Sequence, residues 1–333
     1  MRVLPPDPGP EPAEVELVEI RGFERPDQEW ITRLAPVGPD RFVTGGPGVC
    51  LRLWSTAASA PMATLGPLRD DPAPVALQGL PEGCCDPVPD PKLDALAVLD
   101  TRTVVTTSSD GVLRHWDLDM RRCVHALRIP PFVASLVALD TGRVAFATPE
   151  LGVLVFAREG VQPVRRLPLD GCEVLLALGP DRMLASVIDE DDLYLVDLAT
   201  DRVTHLTADG PSLFAACALT PSRYVSAAPF FVEPPRLNLW ELGREEPLRD
   251  FPCQWSGDVI APLGPGRIAY ASFGCLDIWS VTDGRLLARA DRPYCSTVAV
   301  LPGRRNGVAR LATGGRHHLS LWELRPQTAR SDR

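Results

Sequence analysis

Lysine is almost absent from this chain of 333 residues, and basic residues are fewer than acidic ones. Lys92 is the sole lysine, and 34 lysines and arginines stand against 43 aspartates and glutamates, so the net charge is −9. Proteins that bind nucleic acid draw most of their binding free energy from clustered cations that contact phosphates. The acidic balance therefore argues against nucleic acid as the main partner.

Long apolar runs and paired cysteine motifs are also missing. No stretch approaches the roughly 20 apolar residues of a membrane span, and the opening residues MRVLPPDPGPEPAE place prolines where a signal peptide needs an apolar helix. The nine cysteines include no C-x-x-C pair, and most lie in or beside apolar runs, as reduced buried cysteines do. We expect a soluble, cytoplasmic protein with no membrane partner and no structural metal.

A helical period is lacking too, whereas 35 prolines and 26 glycines, spread at turn-like intervals, favour many short strands. An alternating run that ends in an aromatic or apolar closing residue recurs seven times. The closing residues are Trp54, Trp116, Phe156, Val196, Trp240, Trp279 and Trp322. They are 62, 40, 40, 44, 39 and 43 positions apart. A period near 40 with alternating strands predicts propeller blades of four strands each.

A second marker keeps the same register. An arginine begins another alternating run 12 to 17 positions before each closing residue. These arginines are Arg41, Arg102, Arg143, Arg182, Arg223, Arg267 and Arg310. Upstream of each lies a run that is apolar on both faces, which is typical of strands between neighbouring blades. We expect acids just past the closing residues to pair with four of these arginines. The expected pairs are Arg102 with Asp117, Arg182 with Asp197, Arg223 with Glu241 and Arg310 with Glu323.

The ends of the chain and one long spacing complete the fold prediction. The seventh blade has no outer strand of its own, and EVELVEI at 14–20 is a spare alternating strand that we expect to complete it and close the ring. The spacing of 62 contains a Pro-rich, acidic insertion loop at 68–91 without a hairpin pattern. We therefore predict an all-β chain with one seven-bladed β-propeller of antiparallel four-stranded blades over 15–325. Residues 1–14 form a flexible Pro-rich N-terminus, and 326–333 form a flexible tail.

One stretch carries a family resemblance. The run SSDGVLRHWDLD at 108–119 resembles the strand-turn-strand signature of WD-repeat propellers. In that family a Ser or Thr, an Asp in the tight turn and a Trp join a His in a hydrogen-bonded tetrad, which the resemblance assigns here to Ser108, Asp110 and Trp116. The other blades depart from the pattern, because none has a Gly-His dipeptide and the Asp position becomes Gly48, Pro234 or Arg316. The resemblance implies a non-catalytic scaffold for protein assembly.

Aromatic residues suggest where a partner docks. If the strands run as in that family, two kinds of connection lie on one face of the propeller. They are the loops from the outer strand of one blade to the inner strand of the next, and the turns between the second and third strands. Seven aromatics fall there: Trp30, Phe132, Phe230, Phe231, Trp255, Phe273 and Tyr294. Large rigid side chains on one loop face are typical of protein-binding hot spots. The alternative is that each caps the end of its own blade.

An enzyme would need polar groups that converge in the central channel. The inner strands carry acids only at one end, namely Asp94, Glu173 and Asp258, which are the ligands expected of a propeller hydrolase or lactonase with a metal at the channel mouth. No G-x-S-x-G elbow, P-loop or dinucleotide fingerprint occurs. The acidic run at 189–192 lacks the ordered alternation of a calcium loop. We expect protein partners, no cofactor, no metal and no catalysis, with the hydrolase as the alternative.

Overall fold

A computed structural model covers the chain and is all-β. It describes residues 15–326, except for 25–29, 67–71, 78–90, 132, 134, 188–191, 208–212, 214, 228–234, 255–256, 258, 265, 273, 292–294, 306–307 and 317. These residues form 29 strands and no helix, and the strands associate into seven sheets. No helix long and apolar enough to cross a membrane occurs in this described part of the chain.

Blades 1 to 4 follow one another along the chain. Blade 1 contains β2 (Arg33–Pro36), β3 (Arg41–Gly45), β4 (Leu51–Ser55) and β5 (Ala63–Leu65). The short strand β6 (Val75–Ala76) precedes blade 2, which contains β7 (Leu93–Val98), β8 (Thr103–Ser108), β9 (Val112–Asp117) and β10 (Arg122–Arg128). Blade 3 contains β11 (Ser135–Ala138), β12 (Arg143–Thr148), β13 (Gly152–Ala157) and β14 (Pro163–Leu167). Blade 4 contains β15 (Cys172–Gly179), β16 (Arg182–Val187), β17 (Asp192–Asp197) and β18 (Arg202–Thr207).

The last three blades bring the chain back to its start. Blade 5 contains β19 (Ala216–Thr220), β20 (Arg223–Ala227), β21 (Arg236–Glu241) and β22 (Arg249–Pro252). Blade 6 contains β23 (Val259–Gly264), β24 (Arg267–Ala271), β25 (Cys275–Ser280) and β26 (Arg285–Asp291). Blade 7 contains β27 (Cys295–Arg305), β28 (Val308–Gly315), β29 (Leu319–Pro326) and, as its outer strand, β1 (Val15–Gly22).

The first strands of neighbouring blades contact one another all the way around, from β2 through β27 and back to β2. They therefore surround the central channel. Strand β1 pairs antiparallel with β29, from Val15 opposite Pro326 to Gly22 opposite Ser320. The seven-bladed ring and its closure by the N-terminal strand are confirmed.

The apolar core consists of seven separate clusters, each lying between two neighbouring blades. The alternation of strand side chains produces this arrangement. In β13, Leu154 and Phe156 pack against blade 2, whereas Val153 and Val155 pack against blade 4. A single strand thus contributes to two cores, which explains why its sequence is apolar on both faces.

The indole of the closing tryptophan is tied to a hydroxyl in the preceding strand. Trp54 donates from Nε1 to Thr44 Oγ1 at 2.9 Å, and Trp116 donates to Thr106 Oγ1 at 2.9 Å. Trp240 and Trp322 donate in the same way to Ser226 and Thr313 at 3.0 and 2.8 Å. A buried N–H without a partner is costly, so each of these hydroxyls stabilises its blade.

The hydroxyl position varies together with the closing residue. In blade 3 the closing residue Phe156 has no N–H that needs an acceptor. The residue at the hydroxyl position is Phe146, and the two rings stack with centroids 5.3 Å apart. In blade 4 the aliphatic Val196 is accompanied by Ala185. Blade 6 is the exception: the indole N–H of Trp279 has no hydrogen-bond partner among the described residues.

Six of the seven arginines that mark the second strands fall into two groups. Three of the expected pairs are confirmed, with N···O distances of 2.9, 3.0 and 2.8 Å; they are Arg102 with Asp117, Arg182 with Asp197, and Arg223 with Glu241. The fourth is wrong. Arg310 lies opposite Glu323 in the ladder, but its guanidinium turns to Asp40 at 3.0 Å, and Glu323 pairs with Arg325.

Arg310 shows the second use of these arginines, which is to join blades. It donates to the carbonyl of Pro39 in the first turn of the next blade at 2.6 Å. Arg41 and Arg143 make the equivalent bonds to the carbonyls of Thr101 and Pro180, at 2.9 and 3.1 Å. Arg310, Arg41 and Arg143 therefore add a cationic link to the apolar core of three junctions, one of which is the seam between blades 7 and 1.

The insertion before blade 2 is not wholly a loop. Residues 75 and 76 form β6, which pairs parallel with the outer strand β10, and the N–H of Leu77 donates to the carbonyl of Arg128 at 3.2 Å. Leu77 is buried in the cluster between blades 2 and 3. Within the insertion predicted at 68–91, β6 therefore adds a short fifth strand to blade 2.

We expect Thr106→Val to lower the free energy of unfolding by about 1–3 kcal/mol, because it keeps the shape of the side chain but leaves the N–H of Trp116 without its acceptor. Denaturant unfolding monitored by tryptophan fluorescence measures the change. The same substitution at Thr64, which is exposed on β5, is the matched control and should change the value by less than about 0.5 kcal/mol. Equal stability of the two variants would contradict the role of the indole bond.

Candidate functional site

One end of the ring gathers the beginnings of the inner strands. Because the blades are antiparallel, this end also carries the turns between second and third strands. Trp30 is a large aromatic side chain at this end; it lies just before β2 and is 42% exposed. Large aromatic side chains that remain exposed beside a rigid scaffold are typical of protein-binding surfaces.

Trp30 is held in place across the seam of the ring. Its Nε1 donates to Ser296 Oγ of β27 at 3.1 Å, and that hydroxyl donates in turn to the carbonyl of Ile31 at 3.0 Å. The backbone of Gly46 approaches so closely that a Cβ there would lie 2.1 Å from the carbonyl oxygen of Trp30. The indole is therefore exposed but preorganised, which lowers the entropic cost of burying it against a partner.

Charged groups lie at the same end of the ring. Arg33, three residues beyond Trp30, donates from Nε to the backbone carbonyl of Asp94 in blade 2 at 2.7 Å. The Oδ2 atom of Asp94 is buried and has no hydrogen-bond partner among the described residues. Burial raises the pKa of this carboxyl to about 6, although the charges of Lys92 and Arg33 act in the opposite direction. Such a desolvated carboxyl is a typical feature of functional sites.

The backbone explains why these side chains share one end. Three inner strands have a register shift near their start, where one residue lies between two paired residues. These residues are Asp94 in β7, Glu173 in β15 and Ser296 in β27. A bulge of this kind redirects a side chain out of the ladder. We call Trp30, Arg33, Lys92, Asp94 and Ser296 the Trp30 surface.

The other aromatics predicted for this face lie outside the described residues. They are Phe132, Phe230, Phe231, Trp255, Phe273 and Tyr294. Sequence reasoning missed Arg33 and Ser296 as members of the site. In the sequence each is a polar residue near the start of an otherwise apolar inner run. That pattern does not indicate that the two strands meet at the seam.

The tetrad-like residues of blade 2 form a different network from the one that the resemblance implies. Ser108 Oγ donates to Asp110 Oδ1 at 2.7 Å, and Arg114 donates to both, at 2.7 Å to Ser108 Oγ and 2.5 Å to Asp110 Oδ2. The indole of Trp116 bonds to Thr106 instead. Hydrogen bonds from Arg114 and Ser108 hold the pKa of Asp110 below its usual value, although burial opposes them. Arg114 is therefore the third member of this network.

The three acids of the hydrolase alternative are only partly placed. Asp94 and Glu173 lie at bulges on the same end of the ring, whereas Asp258 lies outside the described residues. Within the part of the chain that the structure describes, no group of three or more His, Cys, Asp or Glu side chains is arranged to hold a metal ion.

We expect Asp94→Asn to stabilise the fold at neutral pH. The pKa of this carboxyl is raised on folding, so ionisation costs free energy in the native state only, and the loss develops between pH about 4 and 6. After allowance for partial solvent exposure, the gain of the variant at pH 7 is about 1–2 kcal/mol, and it vanishes below pH 4.

Denaturant unfolding of both forms at several pH values measures the gain of Asp94→Asn. Glu16→Gln, on the exposed side of β1, is the control and should differ from the wild type by less than about 0.5 kcal/mol. A gain that is the same at pH 4 and pH 7 would show that the desolvated charge is not its cause.

Comparisons with known proteins agree on the fold. The sequence matches no protein-family model and no characterised protein. The structure is similar to that of the WD40 repeats of RRP9, with a TM-score of 0.71 and 13% identity over 92% of this chain and 98% of that one. It is also similar to the structure of U3-55K, with a TM-score of 0.68 and 14% identity over 95% of this chain and 100% of that one. The chain has the fold of WD40-repeat β-propellers.

Proposed function

We propose that the protein is a non-catalytic interaction scaffold that docks a partner protein on the Trp30 surface. The observation that carries this proposal is the exposed, preorganised indole of Trp30, fixed to Ser296 at the seam of the ring. An anchored aromatic gives up little conformational freedom when a partner covers it.

The likeness to WD40 propellers supports a role in protein assembly, since it places the chain among folds built from repeats that present broad loop surfaces. The hydrolase alternative would require Asp94, Glu173 and Asp258 to hold a metal together. A melting-temperature shift with calcium, magnesium, manganese or zinc that Asp258→Ala abolishes would favour that alternative.

The thiols support a location in the reducing cytoplasm. Cys172, Cys217, Cys253 and Cys275 are buried and form no disulfide bond among the described residues. Burial raises the pKa of Cys253 to about 11 and that of Cys172 to about 12, so these thiols are apolar core groups and not reactive ones. The Pro-rich, acidic insertion at 68–91 is a second contact in this proposal, through its residues other than β6, because β6 pairs with β10 of blade 2.

Affinity capture from lysate, followed by mass spectrometry, identifies the partner, and titration with the purified partner then measures its affinity. We expect Trp30→Ala to weaken binding about 30-fold or more, which corresponds to the loss of one hot-spot side chain of about 2 kcal/mol. Ser296→Ala should weaken binding less, because it frees the indole without removing it.

Met120→Ala is the matched control for the Trp30 surface. Met120 is 52% exposed but lies at the turn between β9 and β10, at the opposite end of the ring. Its substitution should leave partner affinity unchanged. If Trp30→Ala and Met120→Ala bind the captured partner equally well, the Trp30 surface is not the docking site.

A further inference from the structure

The end of the ring opposite the Trp30 surface has an apolar cleft between blades 5 and 6. Its volume is about 400 Å³. Leu219, Leu239 and Leu248 form the wall on blade 5, and Val281 in the turn after β25 forms the wall on blade 6. A cleft of this size accommodates one side chain with its flanking backbone.

An arginine side chain lies at the edge of this cleft. Arg249, the first residue of β22, lines the cleft and donates from Nη1 to the backbone carbonyl of Asp283 at 2.9 Å. Its charge pairs with no carboxylate among the described residues. The other lining arginine, Arg223, is neutralised by Glu241 at 2.8 Å. Arg249 is therefore the charged group that remains available to a ligand.

The position of Arg249 is fixed from the neighbouring blade. Its Cδ atom lies 3.1 Å from the point where a Cβ at Gly284 would stand, and this glycine has a positive φ of 70° that other residues adopt only with strain. Contact with Gly284 and the bond to Asp283 hold the stem and one end of the guanidinium. The remaining N–H groups are preorganised donors, which suit a carboxylate.

The equivalent cleft between blades 2 and 3 shows what this one lacks. There the position of Val281 is taken by Arg158, which pairs with Asp100 at 2.7 Å and bonds to Thr103. In blade 2, His115 and His125 are paired across the ladder. They occupy the positions that Leu239 and Arg249 occupy in blade 5. That cleft has a volume of about 360 Å³, and Arg158, the cation that lines it, is already neutralised by Asp100. The cleft between blades 5 and 6 has apolar walls and an unneutralised cation at its edge.

We propose that the cleft between blades 5 and 6 binds a peptide segment of a partner protein in which an apolar side chain lies next to a carboxylate. The side chain enters between Leu219, Leu239 and Val281, and the carboxylate accepts hydrogen bonds from Arg249. This site is independent of the Trp30 surface, because the two lie at opposite ends of the ring. A scaffold with both sites holds two partner segments at once.

N-acetyl-leucine is the probe, because it carries a leucine side chain and a carboxylate in the smallest molecule. N-acetyl-leucinamide is its matched control, since it differs only in lacking the charge. Methyl NMR of the full chain reports binding through the Leu219, Leu239 and Val281 signals. We expect saturable shifts of these methyl groups with the acid at millimolar concentration, and at least tenfold weaker binding of the amide.

Variants separate the role of the charge from that of the fold. Arg249→Gln should weaken binding of the acid about tenfold, to the level of the amide. Arg244→Gln removes the same charge from an exposed position in the same turn, outside the cleft lining, and should leave binding unchanged. Trp30→Ala should also leave it unchanged, so failure of this proposal and failure of the Trp30 docking site are distinguishable.

Three results would overturn the proposal. One is the absence of saturable shifts at the cleft methyl groups of the wild type. Another is equal affinity for the acid and the amide, which would leave an apolar cleft without carboxylate recognition. The third is equal weakening by Arg249→Gln and Arg244→Gln, which would indicate a general effect of charge. Unchanged melting temperatures of both variants confirm that the comparison is made between folded proteins.

Discussion

The burial of both faces of every blade is the constraint on which this structure depends. A four-stranded blade here presents apolar side chains on each face, and it has no core of its own because its clusters lie between blades. Such a unit is stable only when a neighbour covers each face, so the series of blades must close on itself. The pairing of β1 with β29 supplies that closure at the seam. Long-range contact between the two ends of the chain is thus a condition of folding for each blade.

Polar interactions refine this arrangement and differ from blade to blade. The indoles of Trp54 and Trp116 each bond to a hydroxyl, whereas Phe156 and Val196 have no N–H and need none. Arg310 links blades, whereas Arg223 pairs within its own blade. Each solution satisfies the same buried or half-buried groups by different means. This freedom explains how a likeness in fold persists at 13% identity to the WD40 repeats of RRP9.

The two ends of the ring differ in their electrostatics. At the Trp30 surface, burial raises the pKa of Asp94, and the carboxyl costs stability at neutral pH. This carboxyl lies at the same end of the ring as the preorganised indole of Trp30, and its cost is a feature that stability alone does not explain. At the opposite end Arg102 and Arg182 are neutralised by nearby acids, whereas Arg249 pairs with no carboxylate among the described residues. Both sites lie on loops and strand ends that a rigid ring positions.

The sequence by itself determined the seven blades, the two-sided strands and the closing strand at 14–20. Each of these follows from local alternation and from a period near 40, which are properties of neighbouring residues. Only the tertiary structure decided the features that join distant segments. The turn of Arg310 to Asp40, the pairing of β6 with β10 and the contact of Trp30 with Ser296 all depend on which surfaces ring closure brings together. The same holds for the cleft beside Arg249, whose walls come from two blades, and no local pattern records the shape of the space between them.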